Sequence, residues 1–137
     1  MSALDIAVAQ LKPDEGFRAK VYRDIVGKQT IGYGFCVDAG ISEPAAAALL
    51  AAQAAEVESY LAKQDWYTLD DVRAAACICL AFNLGVDGFL GFHDTIQALR
   101  SGNWQGAHDA LLYSKAAQQL PARYGRLANW LLTGSTT

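Results

Sequence analysis

Two carboxylates and one threonine near the start of the chain have the residue types and spacing that acid–base catalysis requires. Glu15, Asp24 and Thr30 all lie within the run DEGFRAKVYRDIVGKQTIGYG, residues 14–34, which ends in two closely spaced glycines. Two carboxyl groups in unlike surroundings can hydrolyse a glycosidic bond, because one donates its proton to the leaving oxygen while the other activates water. A threonine hydroxyl donates and accepts hydrogen bonds, so it can hold that water.

The same residues also fit two other interpretations. Charged side chains on short strands are commonly solvated, and the pattern taken alone leaves that alternative open. The glycines suggest a phosphate-binding loop, but a dinucleotide fingerprint that starts at Gly32 requires glycine where this chain has Val37, and no Gly-Lys-Ser/Thr run is present. Neither phosphate-binding motif is therefore present, and phosphate binding is rejected.

The elements that must position these residues are a short helix and a hairpin. Apolar spacing predicts a helix over residues 2–11 that Pro13 ends. Residues 17–36 show strand-like patterns on both sides of Gly27, so we expect a small antiparallel hairpin or sheet with its turn at that glycine. In a hairpin, Asp24 and Thr30 flank one turn, whereas Glu15 enters from outside.

Helices dominate the rest of the chain. An alanine-rich helix from Ser42 to Lys63 is expected to connect two lobes. The next helix starts with a capping box formed by Thr68 and Asp71 and ends at Gly85, and its nearly continuous apolar character predicts the buried centre of a bundle. Shorter helices are expected at about 93–101, 104–113 and 121–132. The prediction is a single α+β domain over 1–137, with a small β-containing lobe (12–41), a helical part (1–11 and 42–137) and a cleft between them.

Composition excludes several classes of function. The net charge is −3 and no basic block is present, which argues against nucleic-acid binding. No uncharged apolar run reaches the roughly 20 residues of a membrane-spanning helix, so we expect no membrane insertion. The N-terminal residues lack the features of a secretory signal, and we expect a protein made in the cytoplasm.

Cysteine and histidine spacing predicts no metal site and no cofactor. Cys77 and Cys79 point to opposite faces of one helix, and with Cys36 they are expected to be buried free thiols. His93 and His108 have no further ligand at the spacing of a zinc site.

The opening stretch resembles the active-site segment of the phage-type lysozymes, the endolysin family typified by the lysozyme of T-even bacteriophages. The motifs that carry the resemblance are Glu-Gly, Tyr-x-Asp and Thr-Ile-Gly-x-Gly, in the family's order and spacing. Three later segments, LDDVRAAACICLAFNLGVDGFLGF, LRSGNWQGAHDALL and PARYGRLANWLLTG, resemble the family's central helix, its Gly-x-Trp/Tyr helix and its C-terminal helix. The resemblance thus extends over almost the whole chain and implies a lysozyme-like fold.

The resemblance implies a role for each residue of the opening stretch. Glu15 becomes the general acid, Asp24 the base that positions water, and Thr30 the residue that orients it. The family is similar to inverting glycosidases, whose two carboxyl groups stand about 6.5–9.5 Å apart. The implied reaction is hydrolysis of the β-1,4 bond between N-acetylmuramic acid and N-acetylglucosamine in peptidoglycan, as used in bacterial cell lysis.

Other positions match family residues around the substrate. Phe82 and Thr95 match positions that line the saccharide cleft, although Phe82 also fits a core position and Thr95 a plain helix surface. By the same resemblance Arg123 is expected near Glu15, and Arg126 is expected to pair with Asp14. The alternative for both arginines is an exposed ion pair of little energetic value.

The chain departs from the family in two places. Phe35 stands where family members commonly have histidine, and the segment 36–41 is short, which predicts a trimmed small lobe and a more open cleft. The slightly acidic chain predicts only weak long-range attraction to an anionic cell wall.

Two rival functions keep the same fold. One is a non-catalytic lysozyme-like module that binds glycan or forms a structural part of a particle, and the other is an enzyme of the same type that degrades chitin. For the lysozyme we expect a monomer in the cytoplasm of the bacterial host, which reaches the wall with the help of a holin-type protein, as the resemblance implies.

Overall fold

The computed structural model describes all 137 residues and divides them into two compact units, 1–48 and 49–137. The boundary falls within the long helix α2, Glu43–Leu61. The extent of the predicted single domain and of its two lobes stays a prediction.

The first unit contains helix α1 and a three-stranded antiparallel sheet. Its elements are α1 (Ala3–Glu15), β1 (Arg18–Arg23), β2 (Gln29–Gly32), β3 (Phe35–Cys36), a 3-10 helix (Val37–Ala39) and the start of α2. The strand order is β1-β2-β3, and Thr30 of β2 pairs with Tyr22 on one side and Cys36 on the other. The predicted small sheet between residues 17 and 36, with its turn at Gly27, is confirmed.

Helix α1 extends further than the sequence predicted. Pro13 was expected to end the helix, but it lies inside the last turn, and Glu15 is the final helical residue. Proline lacks an amide hydrogen, so this position loses one backbone bond, while the amide of Gly16 still donates to the carbonyl of Lys12 at 3.0 Å and closes the turn. Glu15 is therefore positioned by a helix end and not by a loop.

The second unit is helical. After the end of α2 it contains α3 (Asp71–Leu84), α4 (Val86–Leu90), α5 (His93–Arg100), α6 (Trp104–Tyr113), α7 (Lys115–Gln119) and α8 (Pro121–Thr133). Four of these six helices were predicted close to their observed bounds. The other two, α4 and α7, were missed because each has five residues, too few for a helical period to stand out in sequence.

The start of α3 corrects a second prediction. The residue that caps this helix is Asp70, and not Thr68 of the expected capping box. The carboxylate of Asp70 accepts the backbone amide of Arg73 at 3.1 Å and forms an ion pair with the Arg73 guanidinium at 2.9 Å. One side chain thus caps the helix terminus and pairs with a partly buried cation, which a threonine hydroxyl cannot do.

The core of the second unit forms around α3, as its apolar sequence predicted. Buried residues of α3 pack in one cluster with Leu61, Phe89, Leu111, Tyr124 and Leu131; those of α3 are Ala76, Cys77, Leu80 and Ala81. The opposite face of α3 is open, because Phe82 and Cys79 are exposed.

The cysteine prediction is correct for one of three thiols. Cys77 is buried, and burial raises its pKa to about 12. Cys79 is exposed and Cys36 is half-buried, so the expectation that all three act as small core residues is wrong for both. All three are free thiols.

The structure as a whole is an α+β fold, as predicted. None of its helices combines the length and the apolar character that crossing a bilayer requires.

We expect Asp70→Ala to lower the free energy of unfolding by about 1 kcal/mol near neutral pH, the typical cost of replacing an aspartate N-cap by alanine. Burial raises the pKa of Asp70, but hydrogen bonds from the Arg73 side chain and backbone outweigh this, so the pKa lies below its ordinary value of 3.8. A lowered pKa means that the stabilisation is complete above pH 3.8 and is lost as the pH falls through the lower value of the folded protein. Urea unfolding at pH 6 and at pH 2.5 measures the difference, with Asp71→Ala as the control. An equal loss in both variants, or no dependence on pH, would contradict this assignment.

Candidate functional site

Glu15 is held against the turn that joins β2 to β3. A Cβ atom built on Gly34 would lie 2.7 Å from Oε2 of Glu15, so the carboxylate rests directly on that glycine. Gly34 also has a φ of +81°, in the region that disfavours every other residue. The side chains around Glu15 form a cavity of about 350 Å³, lined by Val8, Leu11, Lys12, Glu15, Tyr33 and Gly34.

Asp24 lies at the start of the β1–β2 turn and is fixed by that turn's backbone. Its Oδ1 accepts the amide hydrogens of Val26 at 3.0 Å and Lys28 at 2.9 Å, while its own amide donates to the carbonyl of Lys28 at 2.9 Å. Its other carboxylate oxygen, Oδ2, accepts no hydrogen bond within the first unit. The side chain thus has one oxygen that sets its orientation and one that remains free to accept a proton.

Thr30 belongs to the same turn, from the opposite strand. It is 4% exposed, and its Oγ1 donates to the carbonyl of Lys28 at 3.1 Å. The hydroxyl proton is therefore already used, and Thr30 can interact with a water molecule only as an acceptor. The prediction that Asp24 and Thr30 flank one turn is confirmed, since both side chains bind the backbone of Lys28.

The two carboxylates occupy unlike surroundings. Asp24 is half-buried and held by two amides, whereas Glu15 is exposed at the end of α1 and accepts no hydrogen bond within the first unit. The separation expected between them stays a prediction.

Asp14, next to Glu15, has a partner that the sequence did not predict. Its Oδ1 accepts a hydrogen bond from Nε2 of Gln10 at 2.9 Å, one helical turn earlier. Arg123 is expected near Glu15, and Arg126 is expected to pair with Asp14. Each pair consists of residues from different units, so both expectations stay predictions.

Phe82 and the two arginines line one cavity of the second unit. This cavity measures about 580 Å³ and also contains Asn83 and Trp130. Phe82 is 44% exposed, so the alternative that it is a core residue is wrong. An open ring beside two guanidinium groups is a surface that can contact a polar ligand with apolar faces, such as a sugar.

Thr95 is placed differently from the expectation. It is 2% exposed and lies in α5, so the helix-surface alternative is wrong. It contributes to the wall of a separate cavity of about 580 Å³, together with His93, Asp94 and Lys115. The two residues predicted to contact the saccharide therefore do not line the same cavity.

Two residues of these sites were missed by sequence reasoning. Gly34 was noted as part of a strand-like motif, but its contact with Glu15 depends on the turn between β2 and β3. Asn83 follows Phe82 directly and accepts a hydrogen bond from the hydroxyl of buried Tyr124 at 2.6 Å. The sequence signal for Asn83 was a polar residue at the end of an otherwise apolar helix.

Comparison with known proteins identifies the family. The family model for phage lysozyme matches residues 12–126, which include Glu15, Asp24 and Thr30. The chain belongs to the phage lysozyme family, and its α+β fold is lysozyme-like.

One curated relative is a phage protein that the chain matches over part of its length. The chain is similar to the pre-baseplate central spike protein Gp5 of Enterobacteria phage T4, with 26% identity over 156 residues. The match covers 91% of this chain and 27% of the relative, so the chain spans only about a quarter of that protein's length.

We expect Gly34→Ala to reduce cell-wall hydrolysis at least about tenfold, because the added methyl group would displace the Glu15 carboxylate by steric contact, and small displacements of reacting groups are costly. Gly40→Ala is the matched control, since Gly40 has a similar φ of +78° and no atom within 4 Å of its added Cβ. Turbidity loss of permeabilised Gram-negative cells measures the rates, at protein concentrations corrected for the folded fraction. Equal rates in the two variants would show that contact with Glu15 is unimportant.

Proposed function

We propose that this protein is a muramidase that hydrolyses the β-1,4 bond between N-acetylmuramic acid and N-acetylglucosamine, with inversion at the anomeric carbon. The observation that carries the proposal is the β1–β2 turn, which holds Asp24 and Thr30 on the backbone of Lys28 within the region that matches the family. Glu15 provides the second carboxyl group in contrasting surroundings.

In this mechanism Glu15 is the general acid. Its carboxyl group donates a proton to the glycosidic oxygen as the bond from that oxygen to the anomeric carbon breaks. Asp24 is the general base, and its Oδ2 accepts a proton from the water whose oxygen forms the new bond to the anomeric carbon. Thr30 accepts a hydrogen bond from the same water and orients it. The products are two sugars, and one proton has passed from Glu15 to the leaving group and one from water to Asp24.

Substrate contacts come from the second unit in this proposal. Phe82 presents an exposed ring to the apolar face of a sugar, and Arg123 and Arg126 present cations in the same cavity. A direct contact of Thr95 with the glycan is not part of the proposal, because its side chain is buried. The supporting roles of Arg123, Arg126 and Asp14 are retained as expected from the family.

The similarity to a baseplate spike protein favours a second candidate function. That relative is named as a pre-baseplate central spike protein of a phage, and the second candidate is that this chain is a lysozyme-like module of a particle, with or without catalysis. In this alternative the chain is part of a particle, whereas a free lysozyme reaches the wall with a holin-type helper. A non-catalytic module would also function without Glu15, Asp24 and Thr30.

We expect Glu15→Gln and Asp24→Asn each to reduce the rate of wall hydrolysis at least about a hundredfold, because proton transfer by a positioned group contributes 10²–10⁴-fold. The assay is turbidity loss of chloroform-permeabilised Gram-negative cells. Glu56→Gln is the matched control, since Glu56 is exposed on α2 and its substitution removes the same charge at a different place. Wild-type rates in Glu15→Gln would exclude catalysis by this site, and an inactive wild type that still binds purified peptidoglycan would favour the non-catalytic module.

The bond and the stereochemistry need a separate measurement. Mass analysis of digested peptidoglycan should show reducing-end muramic acid, and proton NMR of the first product should show the α-anomer, since inversion of a β-linkage gives it. Reducing-end N-acetylglucosamine would place the cut at the other glycosidic bond, and 1,6-anhydro ends would indicate a transglycosylase. Hydrolysis of chitin oligomers at a comparable rate would broaden the substrate class.

A further inference from the structure

The β1–β2 hairpin carries a charge opposite to that of the whole chain. Residues 18–28 contain four cations, Arg18, Lys20, Arg23 and Lys28, and one carboxylate, Asp24, whereas the chain has a net charge of −3. All four cationic residues are exposed, and within the first unit none of them forms an ion pair with a carboxylate. The hairpin is therefore a local positive surface on an acidic protein.

The tip of this hairpin is aliphatic. Ile25 is 101% exposed and Val26 is 74% exposed, although both have side chains that proteins normally bury. The backbone that holds them is closed by hydrogen bonds, from Gly27 to the carbonyl of Asp24 at 2.9 Å and from the Arg23 guanidinium to the carbonyl of Gly27 at 2.9 Å. The turn thus holds the two aliphatic side chains outward, next to Arg23 and Lys28.

Apolar and cationic groups together distinguish between possible partners. A nucleic acid or a carboxylate-bearing peptide would interact with the cations, but it would gain little from two adjacent aliphatic side chains. The surface of an anionic phospholipid bilayer can interact with both kinds of group. Its phosphates bind the cations, while short aliphatic side chains enter the region between headgroups and acyl chains.

We propose that the hairpin 18–28 is a peripheral docking site for anionic phospholipid bilayers, with Ile25 and Val26 entering the interface and Lys20 and Lys28 binding lipid phosphates. This binding goes beyond the proposed hydrolysis of peptidoglycan, and it requires no segment that spans the membrane.

Co-sedimentation of the full chain with lipid vesicles tests the proposal. Wild type should bind vesicles of phosphatidylglycerol and phosphatidylethanolamine at low salt, bind much less at high salt, and bind weakly to vesicles of phosphatidylcholine. Two double variants, Ile25→Ser/Val26→Ser and Lys20→Gln/Lys28→Gln, should each bind the anionic vesicles at least about tenfold more weakly. Thermal unfolding midpoints verify that both variants are folded.

Matched controls lie in the second unit. Lys63→Gln/Lys115→Gln removes two exposed cations, and Tyr113→Ser removes a side chain that is 88% exposed, so both controls should bind as wild type does. The proposal is overturned if wild type does not bind, if it binds neutral and anionic vesicles equally, or if the controls lose as much binding as the hairpin variants.

A second arm measures binding to purified peptidoglycan sacculi with every variant in the Glu15→Gln background, which removes the proposed acid. If the hairpin variants lose sacculus binding but keep vesicle binding, the hairpin serves the wall and the bilayer assignment is wrong. Failure of the proposed hydrolysis leaves the vesicle result unaffected, so the two proposals fail separately.

Discussion

Two amide hydrogens of one tight turn, those of Val26 and Lys28, hold the carboxylate of Asp24, and the site in the first unit depends on this interaction. The carbonyl of Lys28 accepts the amide of Asp24 and the hydroxyl of Thr30, so a single residue joins both side chains. A carboxylate fixed through one oxygen can act as a base through the other without first losing rotational freedom. The turn also holds Ile25 and Val26 outward, so its closure determines the outer surface of the hairpin as well.

Glu15 depends on a different constraint, the length of α1. Because the helix continues past Pro13, the glutamate stands at the helix end and lies against the backbone at Gly34. Glycine is required there for two independent reasons, its positive φ and the absence of a Cβ atom that would contact the carboxylate. One carboxylate is thus held by hydrogen bonds, whereas the other lies against a glycine backbone.

The second unit is stabilised by a partly buried cation as well as by its apolar core. The guanidinium of Arg73 stacks on Trp104 at 4.1 Å and donates to the carbonyls of Leu131 and Leu132 at 2.7 and 2.8 Å, which are among the unpaired carbonyls at the end of α8. With Asp70 as its counter-charge, Arg73 links the start of α3 to the end of α8. The face of α3 that this packing leaves open is the one that carries Phe82 and Cys79.

The sequence by itself determined the hairpin of the opening stretch and the longer helices. Three signals in the sequence are local: the glycine at the turn, the alternation on both sides of it, and the apolar periods of the longer helices. The hydrogen bonds within each element are local too, so these signals predict them. Only the tertiary structure decided that Pro13 is tolerated inside α1, that Asp70 is the cap, that Thr95 is buried while Phe82 and Cys79 are exposed, and that Gly34 meets Glu15. These outcomes depend on which side chains lie next to each other in space, because burial and hydrogen-bond partners are set by residues distant in the chain.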